Sequence, residues 1–300
     1  MLEKLKLQEG WLSLFLLFIM LISAALSIST ARWTDELSNL TITAMLGLLA
    51  GLLLAKSRFP AIIAHSFSLI YGLFTVGYLI GHLIEQPTWR ERLITLSERF
   101  TTWLTKATSG GTSRDSLMFV LLMSSLFWLL GYIAAWYTFR RSSLWRAVLP
   151  VGITVLVNYY IYTDPGISTR STSSLGPFVV VFILAALIYA VRTNVFLREL
   201  EWRGHRAIYD IDVRIDFIRS GALLALAAAL IMVIAPGAQA GPYLGSLWAD
   251  LEDMRQDVRE TVSRLFASLE TYGRGVAKPF GSRLVLGGDR QLGDEVLFDV

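Results

Sequence analysis

Residues 115–141 read DSLMFVLLMSSLFWLLGYIAAWYTFRR. Between the aspartate and the two arginines no residue is charged, and most are aliphatic or aromatic. Lipid offers no partner to an unpaired amide, so a stretch buried there must satisfy its backbone internally, as a helix does. At about 1.5 Å per residue, a helix of roughly 20 residues crosses the 30 Å of hydrocarbon. Asp115 is a good helix cap, and Arg140 with Arg141 stops the run at a water interface. We read 117–139 as a transmembrane span.

Outward from it, six more runs have the same character: 11–28, 37–55, 60–83, 147–162, 175–191 and 220–235. The first follows Lys4 and Lys6 and is longer than the apolar core of about 7 to 15 residues in a cleaved signal peptide, so it reads as an uncleaved anchor. Pro60 suits the first turn of the third, and Pro236 with Gly237 closes the last. Composition agrees. The 300 residues are 54% hydrophobic and 17% charged, and a mean hydropathy of +0.54 exceeds what an aqueous surface permits. The expected fold is an all-α polytopic membrane protein of about seven transmembrane helices. Residues 1–237 would form the membrane domain.

Lysine and arginine collect in cytoplasmic loops. Lys56 and Arg58 lie between the second and third runs, Arg140, Arg141 and Arg146 between the fourth and fifth, and six arginines between Val191 and Ser220. The loops after the first and fifth runs hold one basic residue each, Arg32 and Arg170. The expected orientation has the amino terminus in the cytoplasm and the carboxyl terminus outside, in a multi-pass protein of the cell membrane.

The external loop 85–114 departs from this pattern with Arg90, Arg92, Arg99, Lys106 and Arg114, balanced in part by Glu85, Glu91 and Glu98. Trp89, Leu93, Leu96, Phe100 and Trp103 recur at spacings of 4, 3, 4 and 3, which is one face of a helix over about 86–106. Pro87 would start it. A second amphipathic helix is expected over 238–275, with Leu247, Leu251, Met254, Val258, Val262 and Leu265 in its stripe. The two helices could pack face to face, bringing Phe100 near Val262. After Gly273, residues 282–286 and 295–300 read as short strands around Gly287 and Gly288, so 276–300 is expected to begin an external β region that the chain leaves unfinished.

The chemistry visible within the chain is sparse. There is no cysteine, which excludes disulfides, thiolate metal sites and a cysteine nucleophile in this chain. The 27 basic and 24 acidic residues are too balanced and dispersed for a nucleic-acid partner. No Asp, Glu, Lys or Arg falls inside the seven runs, whereas pumps and coupled transporters keep ionisable groups at mid-membrane. His65 and His82 are 17 positions apart in one span, about 25 Å along a helix, so they cannot share a metal. His205 reads as a solvated loop residue. No metal or cofactor is expected.

The polar positions worth marking are Asn158, followed by Tyr159, Tyr160 and Tyr162, and Arg219 before the last run. Asn158 reads either as bonding a neighbouring helix beside an aromatic belt or as part of a ligand site. Gly47 with Gly51, and Gly77 with Gly81, are spaced for close helix approach, within the chain or between copies.

Several stretches, taken in order, resemble the amino-terminal membrane region of bacterial transglutaminase-like membrane proteins of the TgpA type. They are 145–150 with Asn158 and Tyr159, then Arg192, Thr193 and Asn194, then 198–203 with Trp202. Asp216 to Gly221, with Arg219, lead into the last run, and Leu286, Gly287, Gly288, Leu292, Gly293 and Asp294 follow. The resemblance implies an extracytoplasmic transglutaminase-like or papain-like domain beyond Val300, with a Cys, His and Asp triad, held in cis. The chain would then be a membrane anchor and scaffold whose partners are the lipid bilayer and that domain, with the catalytic site absent from these 300 residues. The other reading is a free-standing transporter or channel.

Overall fold

Two glycine-bearing helices form the centre of the molecule: α2 (Asn39–Ala55) and α5 (Ser116–Phe139). In this computed structural model, which describes residues 9–34, 36–163, 174–204, 221, 261 and 264–266, the two run parallel in close contact. A methyl group on Gly47 would strike the Trp128 carbonyl, and one on Gly131 would strike the Ala44 carbonyl. Gly51 faces Ala135 in the same way, one turn further along. Small residues on both helices thus bring the backbones together, which in lipid is the main source of attraction between helices.

The other elements surround this pair. They are α1 (Trp11–Ala31), α3 (Ala61–Gly81), α4 (Trp89–Thr108), α6 (Leu144–Thr163) and α7 (Gly176–Gly204). α1 lies against α7, α6 and α2, and α3 and α6 flank α5. Asp115 caps α5 as expected, accepting from the Leu117 amide at 3.0 Å. Arg32 closes α1 in the left-handed region, at φ 50°. Among the described residues the fold is all helical.

Four of these helices contain a stretch long and apolar enough to cross a membrane: Trp11–Ala31, Ala61–Gly81, Ser116–Phe139 and Gly176–Arg198. Asn39–Ala55 and Leu144–Tyr159 are apolar but shorter. Such helices are those of a membrane-embedded protein. Their outer faces agree, since Ile62 is 81% exposed and Leu73 74% on α3, and Trp145 is 67% exposed on α6. Aliphatic side chains left bare to this degree along whole helices suit lipid rather than water.

Three expectations change in detail. The helix expected over about 86–106 begins at Trp89, not Pro87, because the Thr88 hydroxyl caps it by accepting from the Glu91 amide. Its apolar face also divides. Trp89, Leu96 and Trp103, seven apart, turn towards the bundle, while Leu93 and Leu104 remain exposed. The sixth run does not end as a helix at Arg192, Thr193 and Asn194, since α7 continues to Gly204. Hydropathy marks the end of an apolar stretch, whereas the helix stops only where its backbone pairing stops. The run 220–235 apart from Gly221, most of the second amphipathic helix, and the strands expected over 276–300 lie outside the described residues.

Candidate functional site

Polar side chains form clusters at the two ends of the bundle. At one end, Lys56 pairs with Glu9 at 3.0 Å, and Arg192 donates from Nε to the Ser13 hydroxyl and from a terminal nitrogen to the Glu9 carbonyl. Arg140 closes the turn between α2 and α3. Its guanidinium donates to the carbonyls of Ala55, Ser57 and Phe59 at 3.2, 2.7 and 3.0 Å, and it lies over the Trp136 ring. Those carbonyls stand at and just past the end of α2, where the helix leaves acceptors unsatisfied, so the arginine cap is electrostatically favourable.

At the opposite end, α1 meets α6. Asn158, 6% exposed, accepts from the Trp33 indole and donates to the Ser27 hydroxyl, each at 2.9 Å. Trp33 sits edge-on to Tyr162, whose hydroxyl meets that of Ser174 at 3.0 Å. Tyr159 is half-buried against the core. The amide therefore joins α6 to α1 and the segment after it, with both its oxygen and its nitrogen engaged. Arg219 lies outside the described residues, so the three marked positions are not seen as a group.

The corner between α4 and α5, also at this end, is the most elaborate. Arg99 grips Asp115 with two bonds of 2.7 Å, so the residue that caps α5 also fixes α4. A fork of this kind adds geometric definition as well as charge. Beside it a cleft of about 280 Å³ is lined by residues that include Glu98, Thr102, Lys106 and Ser113. The Trp103 indole nitrogen at its edge is buried with no hydrogen-bond partner among the described residues, a state it shares with the hydroxyls of Ser68 and Ser124. Phe266 packs against Trp103, stacking on it at 5.9 Å between centroids, and meets Phe119 edge-on at 5.4 Å. The Arg264 carbonyl accepts from the Ser113 amide at 3.0 Å.

The two histidines stay apart, as their spacing requires. His65 Nδ1 shares a hydrogen bond of 2.6 Å with the Tyr132 hydroxyl, and its ring packs on Trp136. His82 donates to the Tyr78 carbonyl and lies edge-on to both the Tyr78 and Trp89 rings, which stack on each other. No cluster of three or more His, Asp or Glu suited to a metal occurs among the described residues. His205 lies outside them.

Sequence reasoning missed Trp33 and Phe266. Trp33 lies just past the end of the first apolar run, where nothing marks it as a partner of a residue 125 positions away. Phe266 stands one place beyond Leu265, the residue that the apolar stripe selects, and only its aromatic ring gave a signal. No family model, curated protein or solved structure matches this chain.

Proposed function

We propose that the chain is a membrane anchor and scaffold that holds an extracytoplasmic domain against the α4–α5 corner. The observation that carries this reading is a change of ends late in the chain. Gly221 abuts Val191, next to Arg192 and the Glu9 to Lys56 pair. Phe266 abuts Phe119 and Trp103. In α5 those two levels are marked by Thr138, which meets Tyr189, and by Phe119. They lie 19 residues apart in a helix, about 28 Å, close to the thickness of the hydrocarbon. We assign that crossing to the run 220–235, as a seventh span.

The distribution of charge supports an amino terminus in the cytoplasm, because Lys56, Arg58, Arg140, Arg141, Arg146 and Arg192 belong to the Gly221 end. Whatever follows Phe266 then emerges outside, already fastened to α4 by aromatic stacking. The resemblance to the TgpA-type membrane region supplies the identity of the cargo, a transglutaminase-like domain with a Cys, His and Asp set. Asn158 and Tyr159, with Arg219, belong in this reading to the scaffold.

The absence of cysteine from these residues makes a direct test available. The native product is detected in membranes with an antibody raised against α4 and treated with a thiol-directed activity probe. A labelled band larger than the 33.5 kDa of this chain is expected. An unlabelled band of 33.5 kDa would overturn the cargo and leave a bundle that works alone, as a channel or transporter would.

A further inference from the structure

We infer that the Gly221 end of the bundle carries a docking rim for acidic phospholipid headgroups, centred on Arg58, Arg140, Arg141 and Arg146. The inference rests on the membrane-embedded reading but not on which way the chain faces. Arg140 binds the carbonyls on either side of Arg58, which places Arg58 beside the end of α5, where Arg141 follows directly. Arg146 lies over the Tyr137 ring, one turn back along α5. Arg58, Arg141 and Arg146 are exposed, and neither Arg58 nor Arg141 has a partner among the described residues.

The carbonyls that hold Arg140 orient its guanidinium without cancelling its charge. Glu9 stands with this group, and its carboxylate is taken by Lys56, while Glu199 and Glu201 follow further along α7. None of the four guanidinium groups forms an ion pair among the described residues. The other end contrasts, since Arg99 is neutralised by Asp115 and Glu85, Glu91 and Glu98 are interspersed with its remaining cations.

The position of the rim selects lipid as the source of an anion for these groups. Arg58 and Phe59 lead directly into the bare outer face of α3, and Trp145 and Arg146 into that of α6 through Leu149 and Ile153. A phosphate at this level would meet the arginines while its acyl chains lay along those aliphatic faces, with Phe59 and Trp145 at the boundary. Aromatic residues favour that depth, and basic residues beside it attract anionic lipid.

The test reconstitutes the full chain in phosphatidylcholine bilayers containing a trace of spin-labelled phosphatidylglycerol or phosphatidylcholine, and measures how much of each label the protein immobilises. We expect the acidic lipid to be preferred about threefold, the preference falling towards unity in about 1 M salt, where charges are screened beyond about 3 Å. In the variant R58Q/R141Q/R146Q the preference is expected to disappear while phosphatidylcholine remains immobilised, which also reports an intact bundle. Arg140 is left in place because it closes the turn. R90Q/R92Q/K106Q, at the other end, is expected to keep the preference. Equal immobilisation of both lipids by the unaltered chain, or a preference that survives the first variant or is lost in the second, would overturn the proposal. Immobilisation of neither lipid would instead overturn the membrane-embedded reading on which it rests.

Discussion

Asn158 engages both poles of its amide, one with Trp33 and the other with Ser27, in a buried position where water cannot replace either bond. Hydrogen bonds between membrane helices contribute about 0.6 kcal/mol on average, because the separated helices also find partners. Removing one member leaves the other unsatisfied, which raises the cost of a single change. Asn158→Leu is therefore expected to destabilise the bundle by about 1 kcal/mol. In a double-mutant cycle with Trp33→Phe, about 0.6 kcal/mol of that is expected as coupling, read by unfolding in mixed detergent micelles. Strictly additive effects would mean that the indole contact contributes nothing. The sequence offered Asn158 as either a packing residue or a ligand-site residue. Its two protein partners are a physical reason to treat it as a link between α1 and α6, and that reason depended on Trp33, whose role no local pattern betrays.

Helices were the most legible elements, because span length and charge-free runs follow from the thickness of the bilayer. Asp115 and the arginine pair bracket α5 in the sequence, and the helix occupies Ser116–Phe139. Partnership was not legible in the same way. Gly47 with Gly51 and Gly77 with Gly81 have identical spacing, yet the first pair meets Trp128 and Tyr132 of α5. Gly77 faces open space, and Gly81 accommodates the Trp89 ring from α4 rather than a spanning helix. A small residue permits close approach but does not name what approaches. The missing information is carried by Gly131 and Ala135, whose fit to α2 is a matter of shape. Overpacking at such a contact costs about 1 to 3 kcal/mol, whereas changes facing open space usually stay within about 0.5. Gly131→Leu is accordingly expected to destabilise by about 2 kcal/mol, and Gly77→Leu to lie within about 0.5 of the parent in the same unfolding assay. Equal effects would contradict the central role given to the α2 and α5 pair. α4 shows a related limit. Its period was readable, but the division of its apolar face between Trp103 and Leu93 was set by Phe266 and the bundle.

At the scale of the whole molecule, the account divides the bundle into two dissimilar ends. One is basic and closed by Arg140 and Arg192, and the other carries α4, the Arg99 and Asp115 fork, and Phe266. The loop charges had pointed to this division, and the contacts bring the predicted inner loops together: Lys56 with Glu9, and Arg140 with the turn after α2. The arginines of α4 were harder to interpret from sequence, since counted alone they oppose the orientation that the other loops indicate. Arg99 is neutralised by Asp115 and Arg92 lies over Trp89, so at least these two are held in local contacts. The central claim is that the two ends face opposite sides of a membrane, the basic one inward. Residues 1–300 contain no cysteine, so in a product limited to them a single introduced thiol is the only one of its own that can react. Intact cells producing either Ser109→Cys or Arg141→Cys would be treated with a membrane-impermeant maleimide, before and after permeabilisation. The account predicts that Ser109→Cys is labelled in intact cells and Arg141→Cys only after permeabilisation; labelling of Arg141→Cys in intact cells would contradict it.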